Sequence, residues 1–473
     1  MSVRSIASTC CPPLLRPAFD RLESSPIALR LAHGVFWSMA GAVISRGLMM
    51  VASISVARIL GKASYGELGM IQSTVGTFGV FAGFGLGLTA TKHVAEFRQT
   101  SPERAGRIIG LSSVVAVVTG GVMAIGLFLL APWLATHTIN APHLTGALRI
   151  GALILFITAL NGAQTGALSG FEAFKTIAHV NLLIGLLSFP ILIYGTWIGG
   201  LTGAVWALTI NLVFNWLLNH IALRKEMRRY RVPVAFRNCS RELPLLWSFV
   251  LPVVCSSSLV GPVTWTCGAI LVNQVNGYSE MGIYSAATQC TALVTFMVMI
   301  LNSVLLPILT NERQHGNHAS QHSFHYVHTA TFLVATPITV LAILFAPAIA
   351  AMFGSDFSKG QTTFILVLAA TGISSIGSPA GTLLQSRGMI WAGFWMNMFW
   401  AVVIMGASYV LVPSYKAAGL GLALLIAHTL LALGGYLYQT PMLPKGALKR
   451  TYLGMAIVIV VAMLRILCPG ARG

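Results

Sequence analysis

The sequence predicts an all-α polytopic membrane protein, about twelve transmembrane helices in two six-helix bundles related by a parallel repeat. Three observations carry this. Of 473 residues, 56% are hydrophobic and only 8% charged, against about 25% charged in a soluble domain, so the chain cannot clothe itself in a wetted surface. Its apolar runs are numerous and reach the roughly 20 residues that cross the hydrocarbon as a helix. Short alternating segments of the β-barrel type are absent. Spanning segments must satisfy their own backbone, which makes these runs helices. Finally, the basic residues collect in alternate joints.

The elements follow in order. Residues 1–33 form a basic tail with Arg4, Arg16, Arg21 and Arg30 but no apolar core, which distinguishes it from a signal peptide. The N-terminal lobe, 34–223, holds spans at about 35–59, 66–90, 108–130, 149–170, 178–198 and 201–223. A basic linker, 224–242, carries seven Lys and Arg. The C-terminal lobe, 243–440, holds spans at about 243–272, 281–309, 326–348, 363–385, 391–411 and 420–438. The last segment, 441–473, contains a basic joint and a thirteenth candidate at 451–467.

Joints on the N-terminal side carry 21 Lys and Arg, and the alternate joints five. The positive-inside rule therefore expects a cytoplasmic N-terminus. The net charge of +18 sits in these joints, with no aromatic-basic pattern beside it, and points away from nucleic acid. Shifting the first half by 216 residues lays Gly61 on Gly277, Gly66 on Gly282, Ile54 on Ile270 and Val56 on Val272. Two six-helix halves that start on the same side make a parallel repeat, and transporters built so place their substrate path between the halves.

Residues 44–61 end in Ala57-Arg58-Ile59-Leu60-Gly61, followed by Tyr65-Gly66, and the second half carries Gly282-Ile283-Tyr284-Ser285-Ala286. Over residues 34 to about 440 the chain resembles the polysaccharide flippases of the multidrug/oligosaccharidyl-lipid/polysaccharide exporter superfamily. Ser45-Arg46 and Ala57-Arg58 stand at the spacing of its lipid II flippase branch. That branch has a further arginine where this chain has Ala52, which points to the O-antigen and exopolysaccharide branch. The resemblance implies a flippase carrying polyprenyl-pyrophosphate-linked oligosaccharide from the cytoplasmic to the periplasmic leaflet of a bacterial inner membrane. Its partners would be that substrate, membrane lipids and other polysaccharide-assembly membrane proteins.

Arg46 lies near the middle of the first span, where a charge normally faces a partner or a wet cavity. Its forked donors suit a phosphate. The alternative is a structural arginine bonded to backbone carbonyls. Arg58 and Lys62, at the far end of the same span, could pass the phosphate on or snorkel to lipid headgroups. Polar stripes place Asn161 and Gln164 on the fourth span, Asn211, Asn215 and Asn219 on the sixth, and Gln289 and Asn302 on the eighth. Such groups hold sugar hydroxyls or bind helix to helix. None of the eleven acidic residues is at mid-membrane, and Glu67 and Glu172 near helix ends are the candidate coupling carboxylates. The histidines at 315, 318, 322, 325 and 328 share a stripe read as solvated or headgroup-facing. Seven scattered cysteines form no CxxC pair, and no metal site or cofactor is expected. Nucleophile-elbow, Walker-type and HExxH motifs are missing, so the chain is read as a transporter and not an enzyme. A cation-coupled drug or metabolite antiporter of the same superfamily is the first rival, weakened by the lack of a buried carboxylate. A polytopic polysaccharide polymerase is the second.

Overall fold

The computed structural model describes residues 26–83, 86–233, 258–312, 317–439 and 447–467, and among these it is helical throughout, with no strand. The first 25 residues, the linker beyond 233, the start of the seventh predicted span and His315 lie outside them. The helices are α1 (Pro26–Gly83), α2 (Leu86–Phe97), α3 (Pro102–Trp133), α4 (Thr145–Gly170), α5 (Phe174–Arg229), α6 (Val260–Val272), α7 (Gly277–Glu312), α8 (Asn317–Leu344), α9 (Ala346–Phe353), α10 (Gln361–Ser386), α11 (Ile390–Gln439) and α12 (Ala447–Leu467).

Nine helices among the described residues are long and apolar enough to cross a membrane. Three of them contain one residue with non-helical backbone, where the chain doubles back. In α1 that residue is Gly61 (φ 72°, ψ 170°), and Ser53 on one limb hydrogen-bonds Tyr65 on the other at 2.7 Å. In α5 it is Gly200 (φ 53°, ψ −134°), and in α11 Lys416 (φ 50°, ψ −125°). Positive φ costs glycine little, whereas a side chain crowds there. Each such helix covers two predicted spans, because a one-residue reversal leaves helical hydrogen bonding nearly continuous on both sides.

The second predicted span runs through residues 84–85, which lie outside the described residues, and its described parts are the second limb of α1 and the start of α2. The ninth span begins earlier than its hydropathy suggests, since α8 extends back to Asn317.

The halves share a register in detail. Helices α4 and α10 begin at 145 and 361 and end at 170 and 386, while α5 and α11 begin at 174 and 390. Glu172 and Gly388, which precede α5 and α11, both have positive φ. Glycines close the two bends alike: Gly203 sits on the Gly195 carbonyl and Gly419 on that of Leu411, where a Cβ would collide.

The C-terminal helix α12 packs on α8 and α10. Its Arg450 donates to His325 at 3.1 Å and to Thr329, and Thr451 pairs with the buried His328 at 2.9 Å. These two histidines were expected in solvent or at headgroups. They instead serve a helix docked over them, which the stripe alone did not reveal.

Candidate functional site

A cavity of about 460 Å³ lies between the first and second halves of the chain. The first limb of α1 gives Met49, Ser53 and Val56, and its second limb gives Tyr65, Gly69, Gln72 and Ser73. Helix α5 adds Leu192 and Leu208, and α6 adds Thr264. Helix α7 supplies Met281, Tyr284, Ser285, Thr288 and Gln289. Among the described residues, no charged side chain lines it.

One end of the cavity is shut by backbone. Gly66 on α1 and Gly282 on α7 cross there so closely that a Cβ on Gly66 would overlap the Tyr278 carbonyl, and one on Gly282 the Lys62 carbonyl. Loops from each half brace the crossing reciprocally. Asn273 donates to the Thr138 carbonyl and Tyr278 to that of Ile139, each at 2.7 Å. From the other side, Arg58 Nε donates to the Met352 carbonyl at 2.7 Å. The Tyr65 ring lies 6.4 Å from Phe353 and 6.1 Å from Phe357.

Arg46 stands towards the other end. It is exposed, and lies on the face of α1 that carries Met49 and Ser53, since three- and seven-residue steps keep a helical face. Its guanidinium carbon rests 4.7 Å from the ring centroid of Phe296 on α7, seven residues beyond Gln289. Among the described residues it has no hydrogen bond or ion pair, so the carbonyl-bonded alternative finds no partner here.

The other sequence-predicted residues separate into groups. Gln289 lines the cavity and is exposed to it. Asn161 and Gln164 are buried within the first half. Asn161 donates to the Leu212 carbonyl at 3.2 Å and accepts from Asn219 at 3.3 Å, and Asn219 also donates to Asn215 at 2.6 Å. Gln164, with its amide oriented to satisfy both ends, bonds the carbonyl and indole N–H of Trp216 at 3.0 and 3.1 Å. Asn302 donates to Ser378 on α10 at 2.7 Å, inside the second half. These three amides tie helices within one half and do not meet Gln289. Arg58 caps the segment at Met352, and Lys62 is half-buried with no ion pair among the described residues.

Both candidate coupling carboxylates are paired outside the cavity. Glu67 meets His143 at 2.7 Å, and Glu172 meets the buried Arg98 at 2.7 Å while Arg98 also donates to the Gly170 carbonyl at 3.2 Å. Sequence reading passed over Gln72, although the run Gln72-Ser73-Thr74 interrupts an apolar span and was a signal. Thr74 turns out to accept the Trp265 indole N–H at 2.9 Å, which holds α6 to α1.

The asparagine ladder leads to an expected result. Asn219→Leu should lower thermal stability in detergent by about 1 kcal/mol, the scale of hydrogen bonds between membrane helices. Transport per folded molecule should be unchanged, and a transport defect at normal stability would refute the helix-tying role.

Comparison with known proteins bears on these features. A family model described as polysaccharide biosynthesis protein matches residues 31–313. The EPS I polysaccharide export inner membrane protein EpsE of Ralstonia nicotianae is 24% identical over 401 residues, 84% of this chain and 90% of that one. The lipid III flippase of Escherichia coli K12 is 23% identical over 287 residues, 60% of this chain and 68% of that one. An inward-facing multidrug resistance MATE transporter of the MOP superfamily superposes with a TM-score of 0.70 at 15% identity, covering 87% of this chain and 95% of that one. At that identity the likeness shows the fold, a polytopic helical one.

Proposed function

Because the chain belongs to the polysaccharide biosynthesis protein family, we propose that it flips polyprenyl-pyrophosphate-linked oligosaccharide across a bacterial inner membrane by alternating access. The observation that carries this is a cation with no hydrogen bond or ion pair among the described residues, Arg46, beside a polar cavity between the two halves whose described lining carries no charge. An anionic head with a hydroxyl-rich body matches that distribution of charge. A cationic drug does not, since it would meet a like charge and no carboxylate. The polysaccharide export and lipid III flippase relatives support the same reading.

In this scheme Arg46 takes the pyrophosphate and Gln289 takes sugar hydroxyls, while the lipid tail stays in the bilayer. Arg58 and Lys62 sit where the cargo would leave, and Arg58 would be freed when the Met352 contact opens. Asn161, Gln164 and Asn302 keep each half rigid. Glu67 with His143, and Glu172 with Arg98, are the pairs through which an ion gradient would act. Export is tested directly by deleting the gene and measuring surface polymer together with lipid-linked intermediates, which should accumulate in the cytoplasmic leaflet. Loss of polymer without that accumulation would place the protein at another step.

We further propose two six-helix bundles in parallel repeat, with lobes at 34–223 and 243–440, a linker at 224–242 and α12 as an added helix. The shared register of α4 with α10 and of α5 with α11 supports it. The N-terminus is cytoplasmic in this arrangement, and the Gly66–Gly282 crossing closes the periplasmic end. Cysteines introduced in the linker should label from the cytoplasm and those at 273–280 from the periplasm. The reverse pattern would overturn the orientation.

A further inference from the structure

Gln72 and Gln289 enter the cavity from opposite halves, one on the second limb of α1 and the other on α7. Both are exposed, and neither amide makes a hydrogen bond among the described residues. The asparagines nearby are spent on other helices. These two glutamines therefore hold free donors and acceptors towards the cavity. Ser73, Ser285 and Thr288 beside them extend the hydroxyl and amide lining without adding charge.

The layer they form is set back from Arg46. Seven residues separate Arg46 from the lining Ser53, and seven separate Gln289 from Phe296, about 10 Å along each helix. A pyrophosphate on Arg46 would thus present its nearest sugar rings to the glutamine layer. The cavity, about 460 Å³, falls in the range that takes a drug-sized group rather than a long chain.

Resting on the flippase reading, we propose that Gln72 and Gln289 form a selective site for an uncharged sugar next to the pyrophosphate, and that it discriminates against a uronic acid there. Neutral hydroxyls exchange water for amide partners at little cost. A uronate carboxylate in the same place gives up part of its water and finds no cation, because Arg46 is held by the phosphates and no other charge lines the wall among the described residues. Selection thus comes from an unpaired charge built against the wrong sugar as much as from hydrogen bonds to the right one.

The test uses the purified full-length protein and three synthetic probes: polyprenyl pyrophosphate, the same carrier bearing glucose, and the same carrier bearing glucuronate. The wild type should bind the glucosyl carrier about tenfold more tightly than the bare one, as two neutral hydrogen bonds allow. The glucuronosyl carrier should bind no better than the bare one. In the double variant Gln72→Leu, Gln289→Leu the glucosyl advantage should vanish, with binding of the bare carrier unchanged. In Gln289→Arg the preference should reverse towards glucuronate. A glucosyl advantage that survives the double variant, or glucuronate bound as well as glucose by the wild type, overturns the proposal. If the double variant fails to fold, Gln289→Arg decides alone, and an unaltered preference there overturns it. No binding of any probe to the wild type would overturn the flippase reading itself, and this inference with it.

Discussion

Arg46→Ala is expected to abolish polymer export while the protein inserts at its normal level. The residue lies in the membrane-crossing part of α1, exposed beside the cavity, with its guanidinium on the Phe296 ring and no hydrogen bond or ion pair among the described residues. Removing it leaves no buried carboxylate unpaired, so the usual structural penalty for deleting half an ion pair does not arise. What is lost is a forked, charge-assisted contact with phosphate, on the order of a hundredfold in affinity. Arg46→Lys should restore part of the activity, because a point charge attracts the pyrophosphate but cannot grip two oxygens. The measurement is surface polymer normalised to folded protein in the membrane. Normal export by Arg46→Ala would remove Arg46 from the cargo's path, and disappearance of the protein from the membrane would make it structural.

Gly66→Val should be nearly as damaging, for a steric reason. A side chain at Gly66 would strike the backbone of Tyr278 and Gly282, and backbone in two packed helices cannot step aside as a side chain does. The halves could then no longer close at that end. Export should fall to background, and a cysteine placed at Gln289 should label from both sides of the membrane. Gly282→Val should behave the same way, since its Cβ would meet the Lys62 carbonyl. Gly76→Ala is the control. It lies on the same limb of α1 with nothing within 4 Å of an added Cβ, and should export normally. Labelling of the cysteine from one side only in Gly66→Val would show that the crossing is not the seal.

Much of the fold was legible because lipid leaves the chain few choices. Length and hydropathy locate a helix wherever water is excluded, and the joints betray themselves by charge. The bends at Gly61, Gly200 and Lys416 were legible as breaks between spans, though not as single-residue reversals, which depend on local φ and ψ. The site was less legible, and the polar stripes explain why. Asn161, Gln164, Gln289 and Asn302 look alike along a helix, and only the rotation of each helix against its neighbours decides which faces the cavity. That rotation is tertiary. It turned Asn161 to Leu212 and Asn219, turned Asn302 to Ser378, and left Gln289 free. Arg46 stands out in the sequence because a lone mid-membrane charge is costly wherever its helix turns. Arg58 was placed at the correct end of its helix, but its carbonyl partner is 294 residues away in sequence, beyond any local pattern.

The contact between Arg46 and Phe296 has a thermodynamic corollary. In the proposed cycle the aromatic ring is a stand-in for the cargo, occupying the guanidinium while the carrier is idle. Phosphate would bind the guanidinium by its edge while the ring holds its face, so the two compete only where the phosphate sits away from Phe296. A cation–π contact is worth about 0.5–1 kcal/mol where exposed, and a charged hydrogen bond about 1.5–3 kcal/mol, so a phosphate placed there would draw the guanidinium off the ring. That displacement also removes a strut joining α1 to α7. A ligand shifts a conformational balance only by the difference in its affinity for the two states, and here the difference is supplied by the strut it dismantles. In the proposed cycle an empty carrier would thus stay latched, and a loaded one would be released to move by the same event that loads it.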